Sequence, residues 1–267
     1  TIVRTGADAI ETIKLGSVTI VNFDFSNLPS LKSIIIGDTL SSDYFNISNC
    51  PNVTIINANI GDGWVLTSAD NGGLNIDISN CTSLDYIRVN ELKTWKVDNT
   101  PNLKRLDILR SGAEVCSYDF SKHPGLEYLQ LYNIDIDESQ FNLDLSACTN
   151  MKTVVIDEVG LSSIALPKSV ENLDFWDWTK SNLTELNLGG YTNLKSVDIN
   201  VRSLYHLIPV SIILSDCTSL VSVDLYGRMA SVDLSGCLSL AECSLDGTAE
   251  GLTSVDLSGC TAPMHLY

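Results

Sequence analysis

A pattern that returns about every 23 residues constrains this chain more than any other feature. Each copy joins an apolar-Asp-apolar-Ser stretch, a small turn that often ends in Cys, and a Leu-x-x-apolar-x-apolar stretch. Clear copies are FDFSNLPSLKSIII from Phe23, IDISNCTSLDYIRV from Ile76, YDFSKHPGLEYLQL from Tyr118, LDLSACTNMKTVVI from Leu143 and VDLSGCLSLAECSL from Val232. Weaker copies start at Phe45, Trp95, Leu186 and Ile212, Ile164 opens one that is a residue shorter, and Val255 opens a truncated one. The second halves begin at Ile10, Leu31, Val53, Leu84, Leu103, Leu126, Met151, Val170, Leu194, Leu220 and Leu240, ten steps over 230 residues. A unit this short cannot bury its own apolar face and must stack on its neighbours, so the chain is expected to be a solenoid.

Apolar spacing within one copy specifies two strands. In LDYIRV, Leu84, Ile87 and Val89 are apolar and Arg88 separates the last two, the alternation of a strand with one buried face. Ile76 and Ile78 flank Asp77 in the same way on the opposite side of the coil. The expectation is a predominantly parallel β fold with two short strands per coil and little helix, residues 1–267 forming a single domain of about eleven coils. Residues 1–9 are expected to cap the first coil, and 252–267 to form an incomplete last coil. Longer steps at Ile56–Asn75, with Gly61, Gly63, Gly72 and Gly73, at Tyr132–Gln140 and at Val201–Val210 are expected to be surface loops.

Period and consensus together resemble the leucine-rich repeat. LTSVDLSGC at Leu252, LSSIALP at Leu161 and LTELNLGG at Leu183 resemble the internalin-J type of bacterial leucine-rich repeat, and the resemblance spans nearly the whole chain. It implies a leucine-rich-repeat solenoid of right-handed horseshoe form. It also implies a protein that is secreted or anchored at a bacterial surface and acts in adhesion or protein recognition. The chain departs from that family in placing most of its cysteines after the Ser of the Asp-containing half, rather than in or just after the Leu-x-x-apolar-x-apolar strand.

Charge and motif content narrow the functional classes. The net charge of -17, from 33 acidic and 16 basic residues, repels phosphate backbones and anionic lipid headgroups, so nucleic acid and membrane surface are poor partners. No run of 18 apolar residues occurs, and no transmembrane helix is expected. Cys50, Cys81, Cys148, Cys217, Cys237 and Cys260 share one repeat position that elsewhere holds Leu28, Thr100, His123 and Tyr191, so the site wants a filler rather than a bonding partner and reads as a column of buried reduced thiols. Asp24, Asp77, Asp119, Asp144, Asp233 and Asp256 form a column expected to face solvent, with too few oxygens per coil for calcium. His123, His206 and His265 lie apart in the repeat, and no nucleophile, phosphate loop or zinc spacing accompanies them. The chain is therefore expected to be non-enzymatic and without a cofactor or metal.

Outward positions of the Leu-x-x-apolar-x-apolar strands become neighbours when coils stack, so columns replace motifs as the signal for binding. The third-position column includes Tyr86, Arg105 and Tyr128, and the fifth includes Arg88, Asp107 and Gln130 and runs on through Val155 to Asp174. Tyr and Arg are the residues most used as interface anchors. Tyr132, Trp176 and Trp178 follow near strand ends. These nine residues are the candidate ligand-binding surface. The expected partner is a host or neighbouring-cell protein outside a bacterial cell. A glycan stacking on the aromatic side chains, or a structural spacer role for the whole chain, is the alternative.

Overall fold

In a computed structural model of the chain, residues 9–16, 18–36, 40–58, 66–67, 73–111, 118–134, 141–176, 182–201, 209–246 and 251–267 are described. They fall into two compact units, Thr1–Leu126 and Glu127–Tyr267, each a parallel β-solenoid. Trp178, His206, Cys116, Gly61, Gly63 and Gly72, and most of the predicted cap and loops, lie outside the described residues.

In the first unit the Leu-x-x-apolar-x-apolar segments make a front ladder of parallel strands: Thr12–Leu15, Ser33–Ile36, Ile55–Ala58, Tyr86–Asn90 and Arg105–Leu109. The Asp-containing segments make a back ladder of Asn22–Asp24, Tyr44–Asn46, Leu74–Asp77 and Leu92–Lys96. Leu31, Ile34, Leu84, Ile87, Leu103 and Leu106 from the front and Phe23, Phe45 and Ile76 from the back are all buried. Phe23 stacks on Phe45 with ring centroids 4.7 Å apart. Burial of each such side chain stabilises the stack by about 1.5–3 kcal/mol, which explains why a single coil has no independent fold. A third ladder, of two-residue strands Val18–Thr19, Leu40–Ser41 and Leu66–Thr67, is not announced by the repeat pattern. One short 3-10 turn, Phe120–Lys122, replaces the back strand in the copy FSKHP.

The second unit follows the same plan. Its front ladder runs Tyr128–Ile134, Thr153–Val159, Asn172–Trp176, Ser196–Val201, Ser222–Gly227, Glu242–Ser244 and His265–Leu266, all parallel. Back strands form two separate sheets, Phe141–Asp144 with Leu161–Ala165, and Glu185–Asn187 with Val210–Ile213, Met229–Asp233 and Ser254–Asp256. The tail read as an incomplete coil reaches the front ladder: Glu242 pairs with His265, and the Tyr267 amide donates to the Cys243 carbonyl at 2.9 Å. Among the described residues no helix is long and apolar enough to cross a membrane.

Between back strand and front strand the chain makes a left-handed step. Asn27, Asn49, Asn80 and Asn99 hold φ of 58–62° in the first unit, and Gly190, Asp216, Gly236 and Gly259 hold positive φ at the equivalent place in the second. Asn, Asp and Gly tolerate this region at low cost, which is why one of them precedes the Cys position in these copies.

Candidate functional site

The front face of the first unit holds a preorganised polar cluster. In-register pairing sets Tyr86 beside Arg105 and Arg88 beside Asp107. The Asp107 carboxylate accepts from Arg105 Nε at 3.1 and 3.2 Å, from Arg105 Nη2 at 3.0 Å and from the Tyr86 hydroxyl at 3.0 Å. The Arg105 guanidinium also lies over the Tyr86 ring, 5.1 Å from its centroid. Burial, then the charge of Asp107, pushes the Tyr86 phenol up to about 12, so the hydroxyl stays a donor. Arg105 remains 45% exposed while Asp107 is 0% exposed. Asp107, expected among the outward residues of the front face, is enclosed and holds the Tyr86 and Arg105 side chains in place. Because Arg105 is nearly half exposed, solvent screens the pair, and its loss costs less than the about 3–5 kcal/mol of a fully buried one.

On the second unit the candidates are dispersed. Tyr128 and Gln130 are half-buried and pair with Thr153 and Val155. Tyr132 begins a row that continues in register through Asp157, Trp176, Asn200 and Tyr226. Trp176, 37% exposed, is the large aromatic surface in this row, and its indole donates to Asp198. The adjacent row is Val155, Asp174, Asp198, Asp224 and Ser244, which sets three carboxylates on successive strands. Burial and the neighbouring carboxylates Asp198 and Asp157 raise Asp174 to about 6. Asp198 and Asp157 are raised as well, by burial first and then by Asp224 and Glu158 respectively. Sequence reasoning followed the fifth-position column only as far as Asp174, and the alternation in SVDI and SVDL was the signal for the rest. An open depression of about 400 Å³ lies over the end of this row, lined by Asp198, Asp224, Glu242, Ser244 and Tyr267 among others.

The turn columns are structural, in ways the sequence did not reveal. The thiols of Cys50, Cys81, Cys217, Cys237 and Cys260 donate to carbonyls of the preceding coil, at 3.1–3.3 Å to Phe25, Ile47, Leu188, Leu214 and Leu234. Tyr191, at the same repeat position, does this with its hydroxyl to Leu166 at 2.7 Å. In these six copies the position holds an apolar body with one donor, while Leu28 fills it without one. Burial pushes the Cys81 and Cys237 thiols up to about 12, which keeps that proton on sulfur. His123, 2% exposed beside the Tyr118 ring, is lowered by burial and serves the same column.

The aspartate column is not simply solvated. Asp24, Asp77, Asp119, Asp144, Asp233 and Asp256 each accept the amide of the Ser two residues on, at 2.8–3.1 Å. The Ser146 hydroxyl and then its amide hold Asp144 below the usual carboxylate range, and the Ser258 amide and then its hydroxyl do the same for Asp256. Beside this column the Asn49, Asn80 and Asn99 side chains form a ladder, each donating to the Asn of the preceding coil at 2.7–3.0 Å. Among the described residues no group of three or more His, Cys, Asp or Glu is arranged to hold a metal ion.

These features define a repeat protein of the parallel β-solenoid class with a polar, aromatic-bearing front face on each unit. Comparison with protein-family models, with curated proteins and with solved structures finds no match to this chain.

Proposed function

We propose that the chain is a recognition module of the leucine-rich-repeat type, in horseshoe form and of internalin-J-like character. It acts without catalysis and binds a host or neighbouring-cell protein outside a bacterial cell. The observation that carries the reading is the Tyr86–Arg105–Asp107 cluster: an exposed guanidinium and a phenol locked in place by a carboxylate with no exposure of its own. Anchors held rigid before binding lose little conformational freedom on association, and Tyr and Arg dominate interface energetics. A glycan is the second reading, favoured by Trp176 at 37% exposure with Tyr132 and Tyr226 in the same row and carboxylates and amides alongside.

Binding of the full chain to arrayed extracellular proteins and, in parallel, to a glycan array tests both. Protein recognition through the first unit predicts a partner whose affinity falls about tenfold or more in Arg105→Ala, as expected for an interface anchor, and is unchanged in the back-face variant Asn142→Ala. Equal affinity of Arg105→Ala and the parent chain would refute the site. A hit on glycans alone, weakened by Trp176→Ala, would replace the first reading by the second.

A further inference from the structure

We propose that Arg88 is an anion-capturing residue on the front face of the first unit and that its ligand is a carboxylate from an acidic side chain of the protein partner. The inference deepens the recognition reading and rests on it for the source of that carboxylate.

Arg88 occupies the middle of the strand Tyr86–Asn90, with Asp107 as its in-register partner on the next strand. A guanidinium so close to a buried carboxylate is expected to pair with it. Here the side-chain hydrogen bonds that Asp107 accepts come from Arg105 and Tyr86, and none comes from Arg88. Arg88 makes no hydrogen bond or ion pair among the described residues, and its Nε is buried without an acceptor. The two terminal nitrogens are not among the buried unpartnered atoms, so they are the part of this half-buried side chain that solvent reaches.

The result is a planar fork with its inner nitrogen enclosed and its outer pair of donors open. That geometry matches the two oxygens of a carboxylate, and Arg serves it better than Lys because the donors are fixed and parallel. Charge points the same way. Arg105 already pairs with Asp107, which leaves the positive charge of Arg88 without a paired counter-charge among the described residues, in a chain whose net charge is -17. Carboxylates are abundant in this protein, yet Arg88 pairs with none of the described ones. The surrounding acidic field is screened over about 8 Å at physiological ionic strength, so contact charges decide binding at Arg88. A single unpaired positive charge favours a monoanion. A dianionic phosphate would place uncompensated negative charge next to buried Asp107.

The test is a titration of the full, 15N-labelled chain, followed at the arginine Nε–H signals and the backbone amides. N-acetyl-glutamate N-methylamide, its glutamine counterpart and inorganic phosphate are the probes. The proposal predicts saturable movement of the Arg88 Nε–H signal and of the Arg88 and Asp107 amides with the glutamate probe. It predicts no saturable movement with the glutamine probe, and loss of saturation in Arg88→Lys while the remaining spectrum superimposes on that of the parent. Linear shifts, equal responses to glutamate and glutamine, tighter saturation by phosphate, or unchanged saturation in Arg88→Lys each overturn it. The titration contains no protein partner. A negative result here leaves the recognition reading to the Arg105→Ala experiment, and a negative result there leaves the carboxylate site measured.

Discussion

Asp174→Asn should stabilise the protein at neutral pH and do nothing at acid pH. Asp174 lies in register between Val155 and Asp198, and Asp198 is followed by Asp224 on the next strand. Among the described residues no Lys or Arg forms an ion pair with any of these three carboxylates. Burial, then Asp198 and Asp157, lift Asp174 from 3.8 to about 6. A group whose folded value lies above its unfolded value contributes stability that is complete below the unfolded value and disappears as pH rises through the folded one. The window here runs from below 3.8 up through about 6. The full shift corresponds to about 3 kcal/mol at roughly 1.4 kcal/mol per pKa unit. Asp174 is only half-buried, and solvent screening reduces that to about 1–2 kcal/mol. Neutral Asn carries no charge to repel, so urea unfolding at pH 7.5 should show a gain of about 1–2 kcal/mol over the parent, and at pH 3.5 a difference near zero. The same gain at both pH values would mean that packing, and not charge, separates the two chains. A loss at pH 7.5 would refute the claim that the carboxylate row is a cost to the fold.

Two further outcomes follow from the turn columns. Cys81→Ala removes a fully buried thiol and its bond to the Ile47 carbonyl and should lower the stability of the first unit by about 1–2 kcal/mol in urea unfolding. In the parent chain this thiol, held at about 12, should label with a thiol reagent only as fast as the coil opens; labelling at the rate of a free cysteine would contradict the buried ladder. Asn80 combines φ of 62° with ladder bonds to Asn49 and Asn99, so Asn80→Ala should cost about 2 kcal/mol, half of it from backbone strain. Asn80→Gly restores the backbone freedom and should recover that half. Equal midpoints for the Ala and Gly variants would show that the left-handed turn is not what Asn80 supplies.

How much of this was legible beforehand differs from one position to the next. Leu84, Ile87 and Val89 face inward as their spacing requires, and so do Ile76 and Ile78. Strand alternation is a local property, and a one-residue slip would expose the whole set. The front-face neighbours Tyr86 and Arg105 were also legible, because that step has no insertion and repeat position alone aligns them. Less was visible for the partners of polar groups, whether on the same coil or on another. The aspartate column was read as solvated because nothing in a sequence says that an amide two residues on folds back onto the carboxylate. The thiol column was read as filler because the accepting carbonyl, such as Ile47 for Cys81, stands 34 residues away.

The periodic placement of aliphatic residues was sufficient by itself to determine a stack of two-stranded parallel coils. Burying apolar surface is non-directional, and only the stacked arrangement buries every copy at once. Which polar groups meet between coils was decided by the tertiary structure alone. A hydrogen bond or ion pair depends on distances of about 3 Å, whereas repeat spacing locates a side chain only to within a position. That is why Asp107 proves to be buried and spoken for, why Arg88 is left with an open fork, and why three aspartates of the second unit come to share a row.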